Sequence, residues 1–375
     1  MDWSEFVAPS IRSLSPYRPG ITEERLRRER SLHQIYKFSS NETPFPPSPA
    51  AMAAMQEALA QGNRYPDAQA LIDSLAATLD LPRECIVLGS GSIDVIGALV
   101  RAFVSPGHNV VLSEYGYCAY PAFVTEQGAV LRIAASGPHF GHDVDALLAC
   151  IDAGTRMVLV DSPTNLSGHA LTGRALERLI GGLPPHVLLV LDEAYIEFTD
   201  GDAPRSTEQL PLRHPNVIVT RTFSKAYGLA GLRVGYGIAD AGLIDCLGRI
   251  RPPFPVSRVA LAGAAAALED RAHLEWIVTA ACNGRHALAA ALRNMGAAVV
   301  DGSANFVLAD FGPAAKSVYE RLLSLGFITR TMTAYALPHH IRISIGTPDE
   351  MQKLLDAMGP LLDASPAGNA IGARL

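Results

Sequence analysis

Short runs of four or five aliphatic residues, bounded by Gly, Pro or polar residues, recur through the first two thirds of the chain. Cys85–Leu88, Asn109–Leu112, Met157–Val160, Val187–Leu191 and Val217–Thr220 each read as a buried strand. Between them lie segments with apolar residues at helical spacing, Ile93–Val104, Tyr120–Gln127 and Thr172–Ile180. Strands apolar on both faces that alternate with helices imply a parallel sheet covered on each side. An Ala-rich stretch from Arg258 to Met295 reads as long helix, with Gly296 as its stop signal. Asn305–Leu308, the helix Ala314–Leu325 and Ile341–Ile345 then suggest a smaller α+β unit. The first 44 residues look irregular apart from a charged helical piece at Thr22–Arg30 and a short apolar piece at Ile35–Phe38.

The predicted fold class is therefore α/β, a mostly parallel sheet sandwiched by helices, with a smaller α+β domain. We expect an N-terminal segment at 1–44, a large domain at 45–257, a small domain at 258–365 and a tail at 366–375. Composition narrows the picture without changing it. Hydrophobic residues make up 49% of the 375 and charged residues 18%, which is too apolar for disorder. Lys and Arg number 31 against 37 Asp and Glu, so no basic excess suggests a nucleic acid or an anionic membrane as partner. The five cysteines are scattered without C-x-x-C spacing, which favours reduced thiols. His339-His340 and His142 beside Asp143 lack spacing that would gather ligands around one ion, so no metal is expected. The N-terminus has no positive start followed by an apolar run, which points to a cytoplasmic protein.

Two local features carry chemistry. In Leu188-Leu189-Val190-Leu191-Asp192-Glu193-Ala194-Tyr195 an aspartate ends an aliphatic strand, and a carboxylate there loses hydration and calls for a cationic partner. In Thr222-Phe223-Ser224-Lys225, Lys225 follows a strand between hydroxyl residues, and Arg233 comes eight residues later. Either feature alone also fits a turn or a surface lysine.

Together, and with Ser162-Pro163-Thr164-Asn165-Leu166-Ser167-Gly168, they resemble fold-type I pyridoxal-phosphate (PLP) aminotransferases, nearest the histidinol-phosphate aminotransferase branch. Further matches fall in order at Pro16-Tyr17-Arg18-Pro19-Gly20, Ser40-Asn41-Glu42-Thr43-Pro44, Arg64-Tyr65-Pro66-Asp67, Gly89-Ser90-Gly91-Ser92, Tyr117-Cys118-Ala119-Tyr120, Gly326-Phe327-Ile328-Thr329-Arg330 and Ile341-Arg342-Ile343-Ser344.

The resemblance implies pyridoxal 5'-phosphate as cofactor and transfer of an amino group from an amino acid or histidinol-phosphate-like amine to a 2-oxo acid such as 2-oxoglutarate. Lys225 would form the Schiff base and shuttle the proton, and Asp192 would keep the pyridine nitrogen protonated. Tyr195 and Asn165 would donate to the phenolic oxygen. Tyr117 would stack on the ring, although a packed core aromatic is the alternative. Gly91, Ser92 and Ile93, at the start of a helix, would face the phosphate with backbone N–H groups, joined by Thr222, Ser224 and Arg233. Tyr65 would reach the phosphate of a neighbouring subunit, which implies a homodimer. Arg330 and Arg342 would bind anionic groups of the substrate, the alternative being surface ion pairs, and Tyr17 and Asn41 would cover the site.

Three departures from the family pattern touch the cofactor rim or the entrance. Leu166 stands where the family has proline, Ile93-Asp94 where it has Asp-Glu, and Thr43-Pro44-Phe45-Pro46 where it has Asn-Pro-Tyr-Gly. A PLP-dependent decarboxylase on the same scaffold, similar to threonine-phosphate decarboxylase, is the alternative reading of the sequence.

Overall fold

The computed structural model describes residues 3–16, 20–204 and 207–363. Tyr17 and the tail 366–375 lie outside the described residues. The first strand, β1 (Tyr36–Lys37), belongs to the N-terminal segment. Seven strands follow: β2 (Ile86–Gly89), β3 (Asn109–Ser113), β4 (Val130–Ala134), β5 (Thr155–Asp161), β6 (Leu188–Asp192), β7 (Val217–Thr222) and β8 (Gly235–Ile238). They form one sheet in the order β2-β8-β7-β6-β5-β3-β4. All neighbouring pairs are parallel except those of β8, which runs antiparallel to β2 and β7.

Alternation along these strands serves two cores. Val158, Val160, Leu189, Leu191, Val217 and Val219 point to one face, where Leu71, Leu75, Leu176, Leu179 and Leu261 pack. Met157, Leu159, Val190 and Ile218 point to the other, against Val95, Ile96, Leu99, Tyr120 and Val124. Both faces are buried, which is why the strands read as continuous aliphatic runs rather than as alternating ones.

The expected single helix from Arg258 to Met295 is two helices, Arg258–Glu269 and Arg271–Asn294. Asp270 ends the first and caps the second, its Oδ1 accepting from the His273 amide at 3.2 Å. The first helix packs on the large sheet, since Ala260, Leu261, Ala264, Ala267 and Leu268 belong to its core.

Beyond them, β9 (Ala298–Val300), β10 (Phe306–Asp310), β11 (Phe327–Ile328), β12 (Arg330–Met332) and β13 (Leu337–Ser344) complete the strands among the described residues. Four of them make an antiparallel sheet in the order β12-β13-β10-β9. β11 instead pairs in parallel with β1, Tyr36 opposite Phe327, so the N-terminal segment is tied to this C-terminal unit. Phe38 shares its core with Leu292, Val307, Leu322 and Ile343. Among the described residues no helix is long and apolar enough to cross a membrane.

Candidate active site

In a parallel sheet the strand ends cannot all be covered by the following helices, and the open carboxyl edge is where ligands bind. Here β5, β6 and β7 end in Asp161, Asp192 and Thr222, and all three border one cavity of about 210 Å³. Ser92, Ile93, Tyr117, Asn165, Tyr195, Ser224, Lys225 and Arg233 also line it. A second cavity of about 140 Å³ adjoins it, sharing Tyr117, Asn165, Tyr195 and Lys225 and adding Asn41, Arg330 and Arg342.

Asp192 is 5% exposed. Its Oδ2 accepts from the Tyr120 hydroxyl at 2.9 Å and its Oδ1 from Thr220 Oγ1 at 3.1 Å. Neither partner is a cation, so burial pushes the carboxyl up to about 7, with the Tyr120 hydrogen bond opposing it. A carboxylate in this state suits a protonated ring nitrogen.

The Tyr195 hydroxyl accepts two hydrogen bonds, from Asn41 Nδ2 at 2.9 Å and Asn165 Nδ2 at 2.8 Å. Both amides are oriented by other partners, Asn41 Oδ1 by the Ser344 hydroxyl and Asn165 Oδ1 by Arg342 Nη1. Tyr195 therefore keeps its own proton for a ligand oxygen. Burial holds that proton in place by raising the phenol to about 12.

Lys225 is half-buried, and its Nζ donates to the Ser40 carbonyl at 3.0 Å. Burial lowers its pKa to about 8, with Arg342 and Arg233 adding to the effect while Glu42 and Asp192 oppose it. A useful share of neutral amine is thus present near pH 7, the form that attacks a carbonyl.

The far end of the first cavity is a cradle. Gly91 has φ +86, and a Cβ there would sit 2.7 Å from Arg233 Nη2. Only glycine allows that backbone to approach the guanidinium so closely. Gly91 stands at the start of the helix Ser92–Phe103, whose free N–H groups suit a dianion. Arg233 Nη1 donates to Ser224 Oγ at 3.1 Å, and Thr222 Oγ1 reaches the same oxygen at 3.0 Å. The Asp192 carboxyl without a cationic partner, the free phenol proton, the softened lysine and this cradle together fit pyridoxal phosphate.

The second cavity is lined by Lys225, Arg330 and Arg342 and by no carboxylate among the described residues. Arg342 is 7% exposed and lies over the Phe306 ring, 5.0 Å from its centroid, with its Nε unpaired. Arg330 Nη1 lies against Gly20, where a Cβ would come within 2.9 Å. Neither arginine has a carboxylate partner among the described residues, unlike Arg221 and Arg285 in the interior.

Tyr65 is not brought to the cavities. It is 78% exposed, stacked on Phe254 at 4.6 Å, and its carbonyl accepts from Arg258 Nη2 at 2.7 Å. Tyr117 does line both cavities, and it also packs edge-on against Tyr120 at 5.5 Å.

Two of the three sequence departures find physical explanations. Leu166 is fully buried against Leu308 and Met332, so it joins the turn to the C-terminal unit. At Ile93-Asp94 an acidic side chain still serves the turn, since Asp94 Oδ2 accepts from the Ser90 amide at 3.0 Å.

Sequence reading missed Tyr120 and Thr220 as partners of Asp192, the Ser40 carbonyl as a partner of Lys225, and Asp161. Asp161 had a usable signal, for Met157-Val158-Leu159-Val160-Asp161 repeats the aliphatic run that ends in Asp192.

Comparison with known proteins gives the family. The family model for aminotransferase class I and II matches residues 33–358. Histidinol-phosphate aminotransferase 1 of Nitrosococcus oceani is 39% identical over 362 residues, covering 96% of this chain and 97% of that one. Histidinol-phosphate aminotransferase 2 of Pseudomonas aeruginosa is 40% identical over 366 residues, covering 96% and 99%. Among solved structures, the histidinol-phosphate aminotransferase from Sinorhizobium meliloti, in complex with pyridoxal-5'-phosphate, superposes with a TM-score of 0.88 at 32% identity. That match covers 96% of this chain and 98% of the other.

Proposed function

The chain belongs to the aminotransferase class I and II family and is a PLP-dependent aminotransferase, and we propose that its amino donor carries an anionic group, with histidinol phosphate the leading candidate. The observation that carries this reading is the second cavity, with the guanidinium groups of Arg330 and Arg342 and no carboxylate at its wall among the described residues. The names of the relatives supply the candidate amine. A 2-oxo acid such as 2-oxoglutarate takes the amino group at the same cavity, its carboxylates meeting the same arginines.

Bound pyridoxal phosphate supplies an aldehyde that captures the amine and a ring that accepts electrons as a bond at the substrate Cα breaks. Lys225 would hold the cofactor and move the proton at the substrate Cα. Asp192 would keep the ring nitrogen protonated, and Tyr195 with Asn165 would donate to the phenolic oxygen. Tyr117 would flank the ring. The N–H groups of Gly91, Ser92 and Ile93, the Thr222 and Ser224 hydroxyls and the Arg233 guanidinium hold the phosphate. Arg342 and Arg330 orient the anionic groups of the substrate so that the Cα proton faces Lys225, while Asn41 covers the site.

The active form is a homodimer. Tyr65 stands exposed and away from its own cavities, with Leu59, Ile250 and Phe254 also exposed. That placement suits delivery of its hydroxyl to the phosphate of a second subunit. The division of labour follows the chain, with residues 45–257 holding the cofactor and 1–44 and 258–365 supplying the cover and the substrate arginines.

An amino-donor screen with 2-oxoglutarate tests the substrate reading, using histidinol phosphate, aromatic amino acids and phosphorylated amino acids. Histidinol phosphate should give the highest kcat/KM. Equal turnover of an amine lacking any anionic group would overturn the reading.

A further inference from the structure

Asp161 and Asp192 are register partners at the ends of β5 and β6. Asp192 has a role in the chemistry proposed above, and Asp161 has none. Yet Asp161 is 3% exposed and borders the cofactor cavity. Its Oδ2 accepts from the Asn165 backbone amide at 2.6 Å, a charge-assisted hydrogen bond. Its Oδ1 makes no hydrogen bond of good geometry among the described residues, although the Tyr117 backbone amide also faces the carboxyl.

The basic group beside it is His142, whose Nε2 lies 3.6 Å from Oδ1. That nitrogen donates to the Asp161 carbonyl at 2.7 Å. A carbonyl can only accept, so the proton sits on Nε2 and Nδ1 is left bare. Nδ1 has no partner. Burial drives the imidazole down to about 4, so it stays neutral and does not neutralise the carboxylate. The loop that seats His142 is strained, with His139 at φ 57 and Phe140 at φ 56, neither of them glycine. The strand end is thus fixed through its backbone by His142, while the carboxyl, faced by the backbone amides of Asn165 and Tyr117, is free to hold Asn165.

Asn165 is where the two cavities meet. Its Nδ2 reaches Tyr195, and both its Oδ1 and its carbonyl accept from Arg342 Nη1. We infer that Asp161 is a positioning residue: its carboxylate anchors the Asn165 amide and so sets the side chain that joins the cofactor's Tyr195 to the substrate's Arg342. The inference rests on the proposed contact between Asn165 and the cofactor.

The test measures the PLP dissociation constant and the KM for the amino donor in Asp161→Ala, Asp161→Asn, Asn165→Ala and the double variants. Asp161→Ala should weaken PLP binding about tenfold or more and raise KM, because the turn that presents the Asn165 side chain loses its anchor. Asp161→Asn keeps an acceptor and should recover most of the loss. In the Asn165→Ala background either Asp161 change should add nothing, since both act through one side chain. Wild-type affinity in Asp161→Ala, or losses that multiply in the double variants, would overturn the inference. If Asp161→Ala does not fold, the cycle built on Asp161→Asn decides, a small loss that vanishes beside Asn165→Ala supporting the role and an undiminished one refuting it. Wild-type PLP binding and turnover, measured alongside, test the proposed function separately.

Discussion

Arg342 donates through Nη1 to Asn165 Oδ1 at 2.9 Å, joining residues 177 positions apart in the chain. One guanidinium edge is thereby committed to a turn of the large sheet, while its Nε stays unpaired. The arginine is held rigidly without being neutralised, the state in which it binds an anion best. Arg342→Lys keeps the charge but loses the planar fork. It should raise KM for the anionic donor about tenfold or more with a smaller change in kcat, and steady-state kinetics would show it. An unchanged KM would remove Arg342 from substrate binding.

Lys225 gives a prediction in pH. Its folded pKa of about 8 lies below the ordinary lysine value, so the neutral amine grows between pH 7 and 9 and then saturates. Capture of PLP by cofactor-free protein should speed up about tenfold across that range and level off, where an ordinary lysine would gain about a hundredfold and keep rising. Stopped-flow absorbance distinguishes the two. Lys225→Ala should lower transamination by roughly 10⁴-fold.

Asp192 makes a statement about stability. Its folded value of about 7 lies above its unfolded one, so the folded chain holds a proton that the unfolded chain releases. Its contribution therefore falls as pH rises from about 4 to about 7. In cofactor-free protein, Asp192→Asn should gain Tm relative to wild type on going from pH 5 to pH 8. PLP should reverse the gain by setting a cation against the wild-type carboxylate. A Tm difference independent of pH would contradict this.

Tyr65 should act in trans. Tyr65→Phe should weaken PLP binding, and mixing it with Lys225→Ala should regenerate sites that hold one wild-type Tyr65 and one wild-type Lys225. Recovery of activity on mixing supports shared sites, and additive inactivity refutes them.

The sheet was legible where burial on both faces left uninterrupted aliphatic runs, as in β3, β5, β6 and β7. The edge strand β4, Val-Leu-Arg-Ile-Ala, escaped because most of it is exposed or half-buried and it carries an arginine. β8 escaped because Gly235 and Gly237 dilute its pattern. Glycine is needed at both, since a Cβ on Gly235 would fall 2.5 Å from the Ser92 amide nitrogen and one on Gly237 would fall 2.8 Å from Val95. The helices Pro49–Leu59 and Gln69–Leu79 gave little signal, the first fully burying only Ala51.

In the site, groups close in sequence were readable, Asp192 with Tyr195 and Lys225 with Arg233. Partners brought from afar were not. Asn41 reaches Tyr195 across 154 positions, and no local pattern encodes that contact. Asp161 lay one residue past the predicted end of β5, where an aspartate reads as a turn former.

The most direct measurement is a single turnover without acceptor. PLP-loaded protein mixed with excess L-glutamate should release one equivalent of 2-oxoglutarate per site and no carbon dioxide, and a second substrate should then be needed to restart it. Carbon dioxide without keto acid, or no product at all from any amino donor, would contradict the account.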